Sequence, residues 1–529
     1  MSTAAPDNER RLIPRWHSSD QAIASGELRS PKPGTGYVRE SLTVPRFDEA
    51  LAAWNSDRSI ESASELVSAA IVLGRANEVS GAATMLADAG SDTSVTMREM
   101  AIRALDGTLS SLSRTSEIGF QPNEIKIHTA IAAYKRRLRL YPTDSVAWVD
   151  LARLYTIIGQ LKPARRAIEI AVAREPNNRF IVRSSARFFA HLNQPDDLDR
   201  GLNAVRRSRA LRTDPWLMAA EISLSMVARV TPISIMRARQ LSESDGIDPW
   251  DSSELNGALA SFAIDHGGFG KPSKLFKKSL RSPTENTVAQ AEWAANQHRA
   301  VQVPITLLER PGVFEALALH YRGQRQWNLV VDACRKWSAL EPTSSRPMAA
   351  GSFVALAALE NGEMALEFVN RAALSKPNDF LVLNDRTVAL AYLGRLAQAQ
   401  TEFNRIKPHD LSEVNETAYL ATGGLLKYRS GQRSEGFALY MQAMATKVSR
   451  ERPDIRAIVA WHLLREEAHF GAPDAVALAD QLWNQTKNIS MPEIAAMNAL
   501  IRTYPRGGHP LDQQLTSSKV RSVILETNY

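Results

Sequence analysis

Three places in the 529-residue chain gather side chains of types that can do chemistry. Gly267-Gly268-Phe269-Gly270-Lys271 sets glycines beside a lysine, the ingredients of a backbone cradle for phosphate. Such a loop needs Gly, four residues, then Gly-Lys-Ser/Thr after a strand. Here Asp265 stands at the first glycine position, Pro272 stands at the hydroxyl position, and no strand pattern precedes the run. It reads as a turn between helices. His462, Glu466 and His469 share one helical face, and Glu466 and His469 have Glu-x-x-His spacing. A carboxylate-bridged metal centre in a helix bundle takes two such motifs and two further carboxylates. The chain offers one, so these residues read as a solvated polar face. Cys334 is the only cysteine and lies beside the apolar stripe that includes Val330. It reads as a buried small hydrophobe, and a single cysteine excludes an internal disulfide or a cysteine zinc site. No nucleophile elbow and no zinc-protease helix is present. The expectation is a chain without catalytic residues, metal or cofactor.

The charge is unevenly placed. The net charge is +7, yet Lys126–Arg212 alone holds 18 Lys+Arg against 7 Asp+Glu, a surplus of 11, which leaves −4 for the remainder. A local basic surface favours acidic partners, whether peptide or nucleic acid. The start has no apolar run of signal-peptide type and no stretch reaches 18 apolar residues, so a cytoplasmic protein without a membrane span is expected. Hydrophobic residues make up 44% and charged residues 23%, which argues against wholesale disorder.

The elements that would position these side chains repeat. Trp148, Val182, Trp216 and Trp250 stand 34 residues apart in succession, and Asp214-Pro215-Trp216 recurs as Asp248-Pro249-Trp250. Between Ser145 and Asn178, Trp148, Leu151, Ala152 and Tyr155 share one helical face. Gly159 marks a turn, Ala164, Ile168 and Ala171 form a facing stripe, and Pro176 stops the second helix. Almost no segment alternates with period two, so the chain is expected to be all-α.

This unit resembles a tetratricopeptide (TPR) repeat, with Ala152 in place of the small glycine and Ile168 in place of the aromatic. More degenerate units include Phe314–Pro342 and the run through Leu390, Gly394, Ala399 and Phe403. The resemblance covers roughly residues 125–450. It implies an all-α, right-handed α-solenoid of TPR-like helix-turn-helix repeats with helical caps. The chain is divided accordingly: a mobile N-terminal tail (1–45), an N-terminal helical cap (46–112), a first solenoid half (113–284), a helical joint (285–310), a second half (311–450), C-terminal helices (451–505) and a tail (506–529).

The resemblance also implies that the first helix of each pair lines a concave groove. At the groove positions stand Arg153, Arg183 and Arg187, the last two one helical turn apart. The arrangement resembles the family's carboxylate-clamp subtype but departs from it, since Val149 stands at its lysine position and Arg153 and Ser184 at its asparagine positions. The functional expectation is a non-catalytic protein–protein interaction scaffold or adaptor, holding an acidic peptide or protein in a basic groove through these three arginines. The alternatives are a nucleic-acid-associated protein using the basic 126–212 surface, or a regulatory subunit of a neighbouring effector enzyme. Oligomeric state is left open.

Overall fold

The computed structural model describes residues 13, 15–24, 27, 47–72, 75–105, 124–140, 142–192, 195–244, 247–267, 270–297, 300–472, 474–489 and 491–504. Among the described residues every regular element is a helix. The expected tail at 506–529 lies outside them.

A short helix, α1 (Ser19–Ala24), precedes four Ala- and Ser-rich helices: α2 (Phe47–Ser56), α3 (Ile60–Val72), α4 (Ser80–Asp88) and α5 (Val95–Leu105). The stacked hairpins begin after α6 (Glu124–Leu140) with α7 (Ser145–Ile157) and α8 (Leu161–Arg174). They continue with α9 (Arg179–Leu192) and α10 (Pro195–Arg207), α11 (Pro215–Val227) and α12 (Ile235–Glu243), and α13 (Pro249–His266) and α14 (Pro272–Ser279). Next come α15 (Glu285–Gln297), the one-turn α16 (Ile305–Leu308), and the pairs α17 (Phe314–Gly323) with α18 (Trp327–Leu340) and α19 (Arg346–Ala357) with α20 (Gly362–Ser375). The pairs α21 (Phe380–Tyr392) with α22 (Leu396–Asn404) and α23 (Glu413–Arg429) with α24 (Arg433–Ala445) lead through α25 (Lys447–Glu451) to α26 (Pro453–His469), α27 (Ala475–Thr486) and α28 (Glu493–Ile501). Within a pair the two helices pack on each other. From α7 to α17 each first helix also touches the next, so α7, α9, α11, α13, α15 and α17 form one continuous row.

Local chemistry sets the register of that row. Aspartates end the linkers and cap the following helices: Asp144 accepts from the Ala147 amide at 2.9 Å, Asp214 from Trp216 at 2.9 Å, Asp248 from Trp250 at 2.8 Å and Asp379 from Leu381 at 3.0 Å. Each such cap is worth about 1 kcal/mol. The recurring Asp-Pro-Trp is therefore a helix start, with Pro in the first turn where no amide is needed. Gly159 turns the chain between α7 and α8 at φ +69°.

The row curls until distant pairs meet. A Cβ on Gly159 would come 2.9 Å from the Leu374 carbonyl oxygen of α20, and Arg153 of α7 donates to the Leu340 carbonyl at the end of α18, 3.3 Å away. At the other end α28 packs against α19, and Glu493 receives Arg322 of α17. The expected joint at 285–310 contains α15, which packs on α13 before it and α17 after it.

Candidate partner-binding groove

The first helices of the N-terminal half are buried nearly all round. In α9, 13 of 14 residues are buried, against 4 of 14 in α8, the second helix of the preceding pair. A helix open to a solvent groove keeps a polar exposed face. This one does not, because something fills the groove.

The filling is the chain's own N-terminus. Residues 1–45 were read as a tail; those of them that are described, between Ile13 and Glu27, pack along the inner side of the first-helix row. The Arg15 guanidinium donates to Glu315 of α17 at 2.9 Å and also to Glu341 just after α18. Trp16 is 2% exposed and sits edge-on to Phe188 of α9, ring centroids 6.0 Å apart. Its carbonyl accepts from Arg153 at 3.2 Å. His17 bridges Glu27 (2.9 Å) and Glu285 of α15 (2.7 Å). The Ser19 amide and hydroxyl both reach Asp150 of α7, which also accepts from Tyr134. Glu27 receives Arg183.

Of the three arginines singled out in the sequence, Arg153 and Arg183 contact this segment and Arg187 shares Glu341 with Arg15; Arg153 is half-buried and the other two are buried. Arg183 is 2% exposed and Arg187 7%. Arg183 lies over the Trp216 ring at 4.3 Å and has Glu254 at 3.8 Å as a second partner. Arg187 has Glu341 at 3.7 Å. Arg153 is held by two backbone carbonyls, those of Trp16 and Leu340.

The electrostatics follow from close opposite charges in a dry place. Burial opposes the charged form of His17, but Glu285 and the hydrogen bonds to Glu27 and Glu285 raise it to about 10. Glu285, despite burial, is drawn down to about 2 by His17 and Arg15. Glu27 is likewise held below the ordinary carboxylate range by Arg183 and His17. Burial lowers Arg153, and burial with the nearby Arg153 charge brings Arg371 down to about 10.

Sequence reasoning missed the carboxylate half of the site: Glu254, Glu285, Glu315 and Glu341 pair with cations 71 to 326 residues before them, from Arg183 to Arg15. The one available signal was Arg15-Trp16-His17, an aromatic set between two cations in a stretch with little helical periodicity in its sequence.

The other candidates resolve locally. Gly267 caps α13 with φ +68° and Pro272 starts α14, so the glycine run spans an inter-helix turn; Gly268 and Phe269 lie outside the described residues. Burial pushes the Cys334 thiol up to about 12, which keeps it protonated. The expected solvated face of His462, Glu466 and His469 holds for His469, which is exposed, and is corrected for the other two. Glu466 is 0% exposed and His462 9%, because earlier helices face them: Arg429 of α23 meets Glu466, and residues of α19, α21, α23 and α24 lie beside His462. Glu466 receives Arg429 at 2.7 and 3.1 Å, and His462 accepts from Arg465 at 2.8 Å. Burial lowers His462 to about 3, so it is neutral. Among the described residues no group of three or more metal-ligating side chains occurs. Beside His462 lies a small recess walled by Phe353, Asp385, Tyr392, Thr422 and Tyr440. No helix among the described residues is long and apolar enough to cross a membrane.

By its architecture the chain is a TPR-like α-solenoid, all-helical in its described residues. No protein-family model matches it, and no curated protein does. Solved structures match it, two of them as follows. The Cut9–Hcn1 hetero-tetramer of the APC/C matches at 13% identity over 86% of this chain and 86% of that one, with a TM-score of 0.40. Yeast Tom70 matches at 12% identity over 86% of this chain and 91% of that one, with a TM-score of 0.29.

Proposed function

We propose that the protein is a non-catalytic protein–protein interaction scaffold whose inner groove holds an extended, carboxylate-bearing segment of a partner through Arg153, Arg183 and Arg187. The observation that carries this reading is the seating of Arg183. Its guanidinium rests on the Trp216 ring and donates to Glu27, a carboxylate on a segment lying along the first helices. A planar fork oriented by an aromatic face pairs with carboxylates in one geometry. Arg183→Lys keeps the charge and loses the fork. Capture of a protein partner from nuclease-treated native extract should fall at least about tenfold for that variant; equal capture by both forms overturns the assignment.

A second reading is supported by Lys135, Arg136, Arg139, Lys162 and Arg166, all exposed on α6 and α8. These cations suit the phosphates of nucleic acid. That reading requires affinity for duplex or single-stranded oligonucleotides that falls steeply with salt, since each neutralised phosphate releases counterions.

A further inference from the structure

We propose that residues 13–27 are an exchangeable ligand carried in cis, and that the groove is a site for extended segments of one chemistry: an arginine, an aromatic and a histidine in succession, followed by a carboxylate. The inference rests on the scaffold reading and adds the ligand class and the means of control. The groove has three stations. Glu315 and Glu341 form an acidic seat for Arg15. The edge of Phe188 packs the aromatic of Trp16. Arg183 on Trp216 takes the Glu27 carboxylate, which His17 ties back to Glu285.

Three observations separate this segment from the core it touches. First, most of its anchors are polar: Arg15, His17, Ser19 and Glu27, with Ile13, Trp16 and Ala22 as the buried apolar ones. Neighbouring helices instead bury long apolar stripes. Second, the groove walls hold charge partners of their own. Glu315 receives Arg346 and Glu341 receives Trp337 at 3.2 Å, while Arg183 has Glu254 and Arg187 has Glu341. Withdrawal of the segment therefore leaves Glu315, Glu341, Arg183 and Arg187 with wall partners, and only Glu285, whose cations His17 and Arg15 both belong to the segment, loses its charge partners. Third, the fit is incomplete. Arg15 Nε, Trp16 Nε1 and Arg183 Nε are buried without a hydrogen-bond partner among the described residues. Each orphaned donor carries a desolvation cost; two of them leave with the segment, and a replacement that brought a carbonyl or carboxylate to the third, Arg183 Nε on the wall, would bind better.

The test keeps the chain whole and alters no packed residue. A protease site is inserted between positions 30 and 44, which lie outside the described residues. The chain is cut, and a fluorescent peptide spanning residues 13–27 is added at increasing concentration. The labelled peptide should enter the cut chain and be excluded from the uncut one. Peptides with Arg15→Glu or Trp16→Ala should bind at least about 100-fold and 30-fold more weakly, in line with losing a buried charge pair or an interface aromatic. Exclusion of the label from a cut chain that keeps its helical signal would make the segment a permanent strut and overturn the proposal. Unfolding on cutting would overturn it equally. A second measurement needs no cut: in the intact chain, amides of residues 15–24 should exchange with deuterium at least about tenfold faster than those of α9. Equal protection overturns the proposal. Peptide exchange without partner capture would sink the scaffold reading alone; capture by a chain whose segment never exchanges would sink this inference alone.

Discussion

The two ends of the solenoid both bury ion pairs, yet the pairs are laid down differently. In the C-terminal part the partners sit on helices close in sequence. Glu467 of α26 receives Arg433, 34 residues away, and Tyr428 at 2.5 Å; Glu466 receives Arg429, 37 residues away. They lie beside an apolar cluster in which Trp461, Leu463 and Leu464 are 0% exposed. The N-terminal part has local pairs too, such as Arg179 with Asp214, 35 residues away, but it adds a second set with no counterpart there: pairs 156 to 326 residues apart, one partner of each in the segment 13–27. Pairs on neighbouring helices form as the stack forms and cannot open without it. Pairs that must first close a long chain depend on the stack, but the stack depends on them less. Buried charge is thus a fastening at one end and a fitting at the other.

The largest expected effect lies at the fastened end. Glu467→Gln removes the charge that compensates Arg433, itself 4% exposed. Breaking a buried pair in this way costs about 3–5 kcal/mol, and chemical denaturation should show a loss of that size in the cooperative transition. Next comes Gly159→Ala, at the contact between the two ends. A left-handed backbone and a carbonyl 2.9 Å from the new methyl act together, for about 1–3 kcal/mol, again read as a lower denaturation midpoint. Arg15→Ala should cost less global stability than either, about 1–2 kcal/mol, since Glu315 and Glu341 keep Arg346 and Arg187. It should instead raise deuterium uptake in residues 15–24. If Arg15→Ala lowers the global transition as much as Glu467→Gln, the two ends do not differ and the comparison fails.

The repeat was readable because it is local. A 34-residue period, aspartate caps and the turn glycine Gly159 each act within a few residues, and the structure places all of them as helix starts and turns. The face of α7 was readable for the same reason, although Trp148 and Trp250 are only half-buried: each sits at a hairpin end, Trp148 donating to the Pro142 carbonyl and Trp250 packing on Trp216 at 4.5 Å. Arg183 and Arg187 could be set on one face from their spacing. What faced them could not, because the opposing carboxylates arrive from other pairs when the row curls, and no pattern within one repeat reports curvature. The same blindness affected α26. Glu466 and His462 look solvent-facing until residues on earlier helices, Arg429 of α23 among them, are seen to face them.

The pH dependence of the segment sharpens the comparison at its smallest scale. His17 faces Glu27 on its own segment and Glu285 on α15, with Arg183 beyond Glu27 and Arg15 near Glu285. Its folded-state pKa, about 10, is raised above the ordinary value of 6.5. The protonated ring therefore holds the segment fully below pH 6.5, and its contribution falls as the pH climbs toward 10, by at most about 1.4 kcal/mol per unit. Glu285, drawn down to about 2, works in the opposite sense: its contribution is present above the ordinary carboxylate value of 4.5 and is lost as the pH falls toward 2. Between pH 6.5 and 10, then, seating should weaken through His17 alone of this pair, while His462 in the C-terminal part stays neutral and contributes no slope. Hydrogen exchange, corrected for the intrinsic pH dependence of amide chemistry, should show protection at residues 15–24 declining across that range while α26 stays flat. A His17→Gln chain should lose the decline and keep the flat line. Parallel declines in both places would mean that the segment opens only with the whole stack.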